Sequence, residues 1–321
     1  MKVLLTGGTG FIGSHLIDFL LARDVEVHAL VRNPEKEPAL LEKKVRILRG
    51  DLFSIPALPA GLDTVFHLAG KTRSLKSADY YTVNRDGTAS LCRSLLSLKK
   101  EPKVVILSSQ AAAGPSNGQE AVRESDPPRP ITHYGKSKLQ GEREALRFKD
   151  RFPLAIARAS AVFGPQDRDF LPFFRMATKG ILLSFQEKKA ASVIYVKDLA
   201  EALFLCAGAN LPSGEIINIA NTEACTWEDL GRAAAAALGK KCRRIKIPKS
   251  LAYLYSLACE TRYRLTGKPG IFNREKYRDL IQPRWIMDVG RAVEILSFKP
   301  HYTLEQAMEE TMAWYIGRKW L

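Results

Sequence analysis

The chain has 321 residues, 46% hydrophobic and 26% charged, with a formal net charge of +15 at pH 7. That length can bury one large or two modest cores, and the composition is that of an ordinary globular protein. No apolar run reaches the roughly 18 residues of a membrane span, and the N-terminal run is too short for a secretory leader.

In chain order, six short apolar runs read as buried strands: "KVLLT" (2–6), "VEVHALV" (25–31), "VRIL" (45–48), "DTVFHLA" (63–69), "KVVILSS" (103–109) and "PLAIARAS" (153–160). Between them, "FIGSHLIDFLLARD" (11–24) and "YYTVNRDGTASLCRSLLSLKK" (80–100) have helical spacing. Alternation of this kind predicts an α/β fold of Rossmann type, a doubly wound parallel sheet with helices on both faces. After about residue 165 the regularity breaks. A loop and short amphipathic helix (164–180) precede "SVIYVKDLAEALFLCAGA" (192–209) and "EIINIA" (215–220), which read as a return to the sheet. From 226 the pattern is mainly helical, predicting a smaller C-terminal domain. The expected division is 1–165 with 192–221 for the sheet domain, and 166–191 with 222–321 for the smaller one.

"TGGTGFIG" (6–13) follows the first strand and opens the first helix. Glycines at Gly7, Gly10 and Gly13 allow a tight turn and close approach of a pyrophosphate to the helix N-terminus. In this strand–turn–helix setting the motif predicts dinucleotide binding. At the end of the second strand, Arg32 stands where an acid would bond the ribose diol of NAD. A guanidinium suits a 2′-phosphate, so NADP is preferred, with NAD the alternative. Asp51, in "GDL" (50–52), would stand by the adenine.

"YGKSK" places Tyr134 and Lys138 at i and i+4 on one helix face. A phenol with a pKa of roughly 10 is a poor acid–base group near neutrality, and a neighbouring ammonium favours the phenolate. The pair therefore suits a carbonyl or alcohol carbon that exchanges hydride with nicotinamide.

These motifs, with "HLAG" (67–70), "VNRDGT" (83–88), "SSQAAAG" (108–114), "RASAVFGP" (158–165) and "VKDLAEA" (196–202), resemble those of extended short-chain dehydrogenases/reductases. Nearly the whole chain resembles the NAD-dependent epimerase/dehydratase superfamily, and within it the dihydroflavonol-reductase-like and 3β-hydroxysteroid-dehydrogenase-like branch. The resemblance implies that the glycine turn, with Phe11 and Ile12, binds the pyrophosphate, and that Asp51 and Leu52 lie by the adenine. Leu68, Ala69 and Gly70 would line the cofactor, with Val162 and Phe163 near the nicotinamide amide. Tyr134 would be the acid–base residue, and Lys138 would hold the nicotinamide ribose and lower the Tyr134 pKa. Asn84 matches the family's central-helix asparagine, with a packing role equally open. A homodimer through 80–100 and 131–150 is also implied.

The departure lies in "SSQA" (108–111). Relatives commonly carry a third hydroxyl there, bonding the substrate oxygen, whereas this chain has Gln110. Either the Gln110 amide donates in its place, Ser109 reaches in, or the site binds without reacting. The preferred reading is an NADP-dependent oxidoreductase acting on a carbonyl or secondary alcohol of a small organic substrate. A nucleotide-sugar epimerase or dehydratase retaining NAD is the alternative, and a non-catalytic dinucleotide sensor the second.

Other features have plainer readings. Scattered Cys92, Cys206, Cys225, Cys242 and Cys259 read as reduced thiols of a cytoplasmic protein. No metal-ligand spacing is present, so no catalytic metal is expected. His67 reads as buried and structural, and His133 as pointing away from the site. Arg168 and Asp169 border the expected substrate cleft, either in contact with substrate or as a solvated pair. The basic stretch "GKKCRRIKIPK" (239–249) lacks a nucleic-acid reading module, so a basic host proteome or an anionic small ligand is preferred to nucleic acid. An anionic membrane surface is the third reading. "SLAYLYSLACETRYRLTGK" (250–268) could lie on such a surface, but is expected to be the core face of a helix.

Overall fold

The computed structural model describes residues 1–184, 189–267 and 272–321. Seven strands form its main sheet: β1 (Lys2–Thr6), β2 (Glu26–Val31), β3 (Val45–Arg49), β4 (Thr64–His67), β5 (Lys103–Ser109), β6 (Leu154–Ala159) and β7 (Glu215–Ile219). Their spatial order is β7-β6-β5-β4-β1-β2-β3, and every pairing is parallel. The order reverses between β1 and β4, creating the crevice above the strand ends where such folds bind ligands.

The strands are apolar because both faces are covered. Helices Phe11–Leu21 and Val196–Gly208 cover one face, burying Leu16, Ile17 and Leu20 with Leu199 and Leu203. Helices Gly87–Leu95 and His133–Leu146 cover the other, with Leu91, Leu95 and Ala145 buried. A third apolar cluster joins helices Leu171–Thr178, Trp227–Ala236 and Leu304–Gly317 through Phe174, Leu230, Met308 and Tyr315. Thr226 with Asp229, and Thr303 with Gln306, form capping boxes that start the last two helices.

Three expectations are modified. The return to the sheet belongs to β7 alone; Val193–Tyr195 pairs instead with Ala161–Phe163 in a separate ribbon, and helix follows it. The helix expected over 80–100 is divided by a wide turn at Thr82–Asp86. The segment 250–268 is largely helical, as Lys249–Thr266, but most of its large apolar side chains do not face the core. Its buried residues are the small Ala252 and Ser256, while Leu254 and Leu265 are 60% and 82% exposed. Lys268 lies outside the described residues. Among the described residues no helix is long and apolar enough to cross a membrane.

Candidate active site

The glycine turn is built by close approach. Gly7 has φ +78°, a backbone state that favours glycine, and a Cβ there would fall 2.6 Å from the Ala69 nitrogen. A Cβ at Gly13 would collide with the Gly7 carbonyl. Gly10 is the N-cap of Phe11–Leu21 and supplies no side-chain cap, so the first-turn N–H groups suit an anion. Phe11 and Ile12 are half-buried at the start of this helix.

A buried hydrogen-bond chain fixes the loop beside that turn. The Thr88 hydroxyl donates to the Asn84 carbonyl at 2.8 Å, so His67 Nε2–H donates to Thr88 Oγ1 at 2.9 Å. His67 Nδ1 then accepts the Thr6 hydroxyl proton at 2.7 Å, and Thr6 Oγ1 accepts the Ala69 N–H at 3.2 Å. Burial, followed by the Lys138 charge, lowers the His67 pKa to about 3. A neutral His67 thus holds Leu68, Ala69 and Gly70 in place, a structural role.

Tyr134 lies in the first turn of His133–Leu146, started by Thr132, whose hydroxyl accepts the Gly135 N–H at 3.1 Å. A Cβ at Gly135 would collide with the Ala111 carbonyl, so glycine lets this helix approach the end of β5. There the Ser109 side chain lies beside the Tyr134 phenol, and its oxygen accepts the Ala111 N–H at 3.2 Å. Gln110 is turned inward, 5% exposed, and its Nε2 has no hydrogen-bond partner among the described residues. Burial raises the Tyr134 pKa, and the Ser109 side chain opposes that rise.

Lys138, one turn on, donates to the Leu107 carbonyl at 2.6 Å, and burial lowers its pKa to about 8. The expected net lowering of the Tyr134 pKa by Lys138 is not observed here; burial of the phenol dominates. One further turn along, Glu142 forms a bidentate pair with Arg158 at 3.0 and 2.7 Å and accepts the Ser108 hydroxyl. Asn84 ties the loop after β4 to the helix: its Nδ2 donates to the Lys71 carbonyl at 3.0 Å and to Ser137 Oγ at 2.9 Å.

The remaining sequence-chosen residues are spread around this crevice. Arg32 is exposed just beyond the end of β2. Asp51 Oδ1 accepts the N–H groups of Phe53 and Ser54 at 2.8 and 2.9 Å, closing its own turn. Leu52 is buried, and a Cβ added at Gly87 would press against it. Val162 is half-buried, whereas the Phe163 ring packs in the core 5.7 Å from Tyr195. His133 faces Tyr81, whose hydroxyl is 3.0 Å from Nδ1. Arg168 and Asp169 do not pair with each other: Asp169 pairs with Arg73, and Arg168 lies over the Trp320 ring.

Several groups near the site had no signal in the sequence pattern. The Tyr80 ring is 6.4 Å from that of Tyr134, and the negative charge of Asp279 bears on both phenols. Burial raises the Asp279 pKa to about 6, and its Oδ1 has no hydrogen-bond partner among the described residues. A cavity of about 380 Å³ is lined by Arg73, Arg168, Arg175, Lys319 and Trp320 with Leu171 and Pro172. These residues come from separate segments, so periodicity carries no trace of their convergence.

The parallel sheet, glycine turn and Tyr134–Lys138 pair define a dinucleotide-dependent enzyme of the extended short-chain dehydrogenase/reductase type. Residues 3–220 match the model of the NAD dependent epimerase/dehydratase family, and the chain belongs to that family. It is 26% identical to a ceramide reductase of Caulobacter vibrioides, over 99% of this chain and 96% of the relative. Identity to a UDP-glucose 4-epimerase of Vibrio cholerae is 25%, over 97% of this chain and 94% of the relative. Among solved structures, MoeE5 in complex with UDP-glucuronic acid and NAD superposes with a TM-score of 0.76 at 25% identity, covering 100% of both chains.

Proposed function

We propose that the protein is an oxidoreductase acting on a carbonyl or secondary alcohol of a small organic substrate, with NADP as its cofactor. The observation that carries this reading is the convergence of Ser109, Tyr134 and Lys138 at the strand ends beside the glycine turn. The close packing at Gly7 and Gly13 and the uncapped helix N-terminus fit a dinucleotide pyrophosphate. Gly7, Gly10 and Gly13 would hold it, Asp51 and Leu52 would border the adenine, and Lys138 would hold the nicotinamide ribose. Leu68, Ala69, Gly70, Val162 and the Phe163 backbone would line the same crevice. Exposed Arg32 suits a 2′-phosphate, the basis for preferring NADP over the NAD of the structural neighbour.

When bound, nicotinamide supplies or accepts the hydride. Tyr134 transfers the proton at the substrate oxygen, giving it up in reduction and taking it in oxidation. The Ser109 hydroxyl polarises that oxygen through its place beside the phenol, and it fills the role left open by Gln110. His67 holds the cofactor loop without titrating. Residues 166–191 and 222–321 would form the substrate side, and 1–165 with 192–221 the dinucleotide side. Two chains would pair through 80–100 and 131–150.

A nucleotide-sugar epimerase or dehydratase retaining NAD is the second reading. It is favoured by the Arg73, Arg168, Arg175 and Lys319 lining, which suits a diphosphate, and by the UDP-glucose 4-epimerase among the relatives. Denaturing freshly purified protein and identifying the released dinucleotide separates the two. Near-stoichiometric NAD would overturn the first reading. Little bound dinucleotide, with NADPH consumption on a panel of carbonyl compounds, would support it.

A further inference from the structure

The outward face of helix Lys249–Thr266 is apolar. Leu251, Leu254, Tyr255 and Leu265 are 57%, 60%, 62% and 82% exposed, and Ala258 lies exposed among them. Their spacing of i, i+3, i+4, i+7 and i+14 places all five on one face, with the exposed Arg262 at i+11 between Ala258 and Leu265. The small side chains of Ala252 and Ser256 mark the inward face. Leu257 and Tyr263 are half-buried, but the bulkiest exposed apolar side chains, Leu254, Tyr255 and Leu265, lie on the opposite side from Ser256. An exposed apolar face of this kind marks an interaction surface.

Charge specifies what covers it. Residues 230–259 contain seven lysines and arginines and no aspartate or glutamate. Arg243, Lys246 and Ile245 are exposed on the strand that leads directly into the helix, and Arg262 and Arg264 are exposed near its end. The helix carries one acid, Glu260, held by Arg274 at 2.5 and 2.9 Å and by Arg264 at 3.5 Å. An apolar face with exposed cations at its edges and within it matches a bilayer surface with anionic headgroups, where Leu and Tyr enter the acyl boundary and Lys and Arg remain at headgroup level.

We propose that helix Lys249–Thr266 and the preceding basic strand dock the protein on an anionic lipid bilayer. The opposite face of this helix packs toward the catalytic crevice. Tyr253 packs on Tyr277, 5.4 Å between ring centroids, and the helix bearing Tyr277 also carries Asp279, whose charge reaches Tyr134. None of the residues assigned to hydride chemistry lies on the docked face, so docking is independent of the proposed reaction.

The test is co-sedimentation of the full chain with phosphatidylcholine vesicles, pure or containing roughly a third phosphatidylglycerol. Wild type should pellet with the anionic vesicles, poorly with the neutral ones, and less as salt rises toward about 0.5 M. The Leu254→Ser/Leu265→Ser variant should lose vesicle affinity by roughly tenfold or more. Lys246→Glu/Arg262→Glu should abolish the preference for phosphatidylglycerol. These substitutions lie at exposed positions, and unchanged circular dichroism and melting would show that the fold is intact. Two results would overturn the proposal. One is the absence of vesicle binding beyond a vesicle-free control. The other is a wild-type dimer in light scattering that Leu254→Ser/Leu265→Ser converts to a monomer, which would assign the stripe to a second copy.

Discussion

Ser109 closes β5 with its side chain beside the Tyr134 phenol, while Gln110, the next residue, turns into the protein. The hydroxyl beside the proposed acid–base group is therefore supplied one position earlier than the family pattern suggests. Tyr134→Phe is expected to lower turnover by roughly 10²–10⁴ while leaving dinucleotide affinity intact. Ser109→Ala should lower kcat by roughly 10²–10³, and Gln110→Ala by less than about tenfold. Steady-state kinetics of the three variants checks this, and a larger loss at Gln110 would transfer the role to its amide.

The glycines of the phosphate turn should differ in tolerance. A Cβ at Gly13 collides with the Gly7 carbonyl, whereas one at Gly10 stops 3.2 Å from that oxygen. Gly13→Ala is thus expected to weaken dinucleotide binding far more than Gly10→Ala, by roughly tenfold or more on the affinity scale. Titration calorimetry with NADPH and NADH measures both.

Arg32 bears on cofactor choice alone. It is exposed at the strand end, so Arg32→Ser should leave the melting temperature unchanged. A lost charge-assisted bond of about 1.5–3 kcal/mol predicts roughly ten- to a hundredfold weaker NADPH binding. NADH binding should hardly move. Equal loss for both cofactors would show that Arg32 does not meet the 2′-phosphate.

The Glu142–Arg158 pair lies beneath Lys138, with side chains 2% and 3% exposed. Removing one partner strands the other charge in the interior, so Glu142→Gln is expected to cost about 3–5 kcal/mol in urea unfolding. Replacing both by methionine should cost less than either single change, because no unpaired charge then remains. A larger loss for the double variant would mean that the network's geometry matters more than its charge.

Lys138 provides a pH signature. Its folded pKa is lowered from 10.5 to about 8, chiefly by burial. Below about pH 8 both folded and unfolded chains hold the proton, so this group gives no slope. Between about pH 8 and 10 the unfolded chain holds a proton that the folded chain has released. Stability from this group therefore rises with pH across that window, by up to about 1.4 kcal/mol per unit. Urea midpoints across the window should show the rise in wild type and lose it in Lys138→Met.

Much of the fold was legible because its signals are local. Apolar runs at β1, β5 and β6 alternate with helical stretches, and the glycine turn announces its own backbone geometry. The short strands Ala161–Phe163, Ala190–Ala191 and Arg284–Trp285 were not legible, since two or three residues carry no period. The exposed face of Lys249–Thr266, expected to be core, was not legible for a different reason. Periodicity reveals that a helix has an apolar face, but not whether that face points inward.

The sequence by itself determined the doubly wound sheet, the phosphate turn and the i, i+4 placement of Tyr134 and Lys138, because each depends on neighbours within a few residues. Only the tertiary structure decided that Ser109 rather than Gln110 faces Tyr134, because that rests on the turn ending β5 and on Gly135 admitting the helix. It also brought Tyr80 and the charge of Asp279 to bear on Tyr134, and it paired Arg73 with Asp169. Those meetings join segments tens to hundreds of residues apart, where the packing of whole elements sets the distance and no local pattern records it.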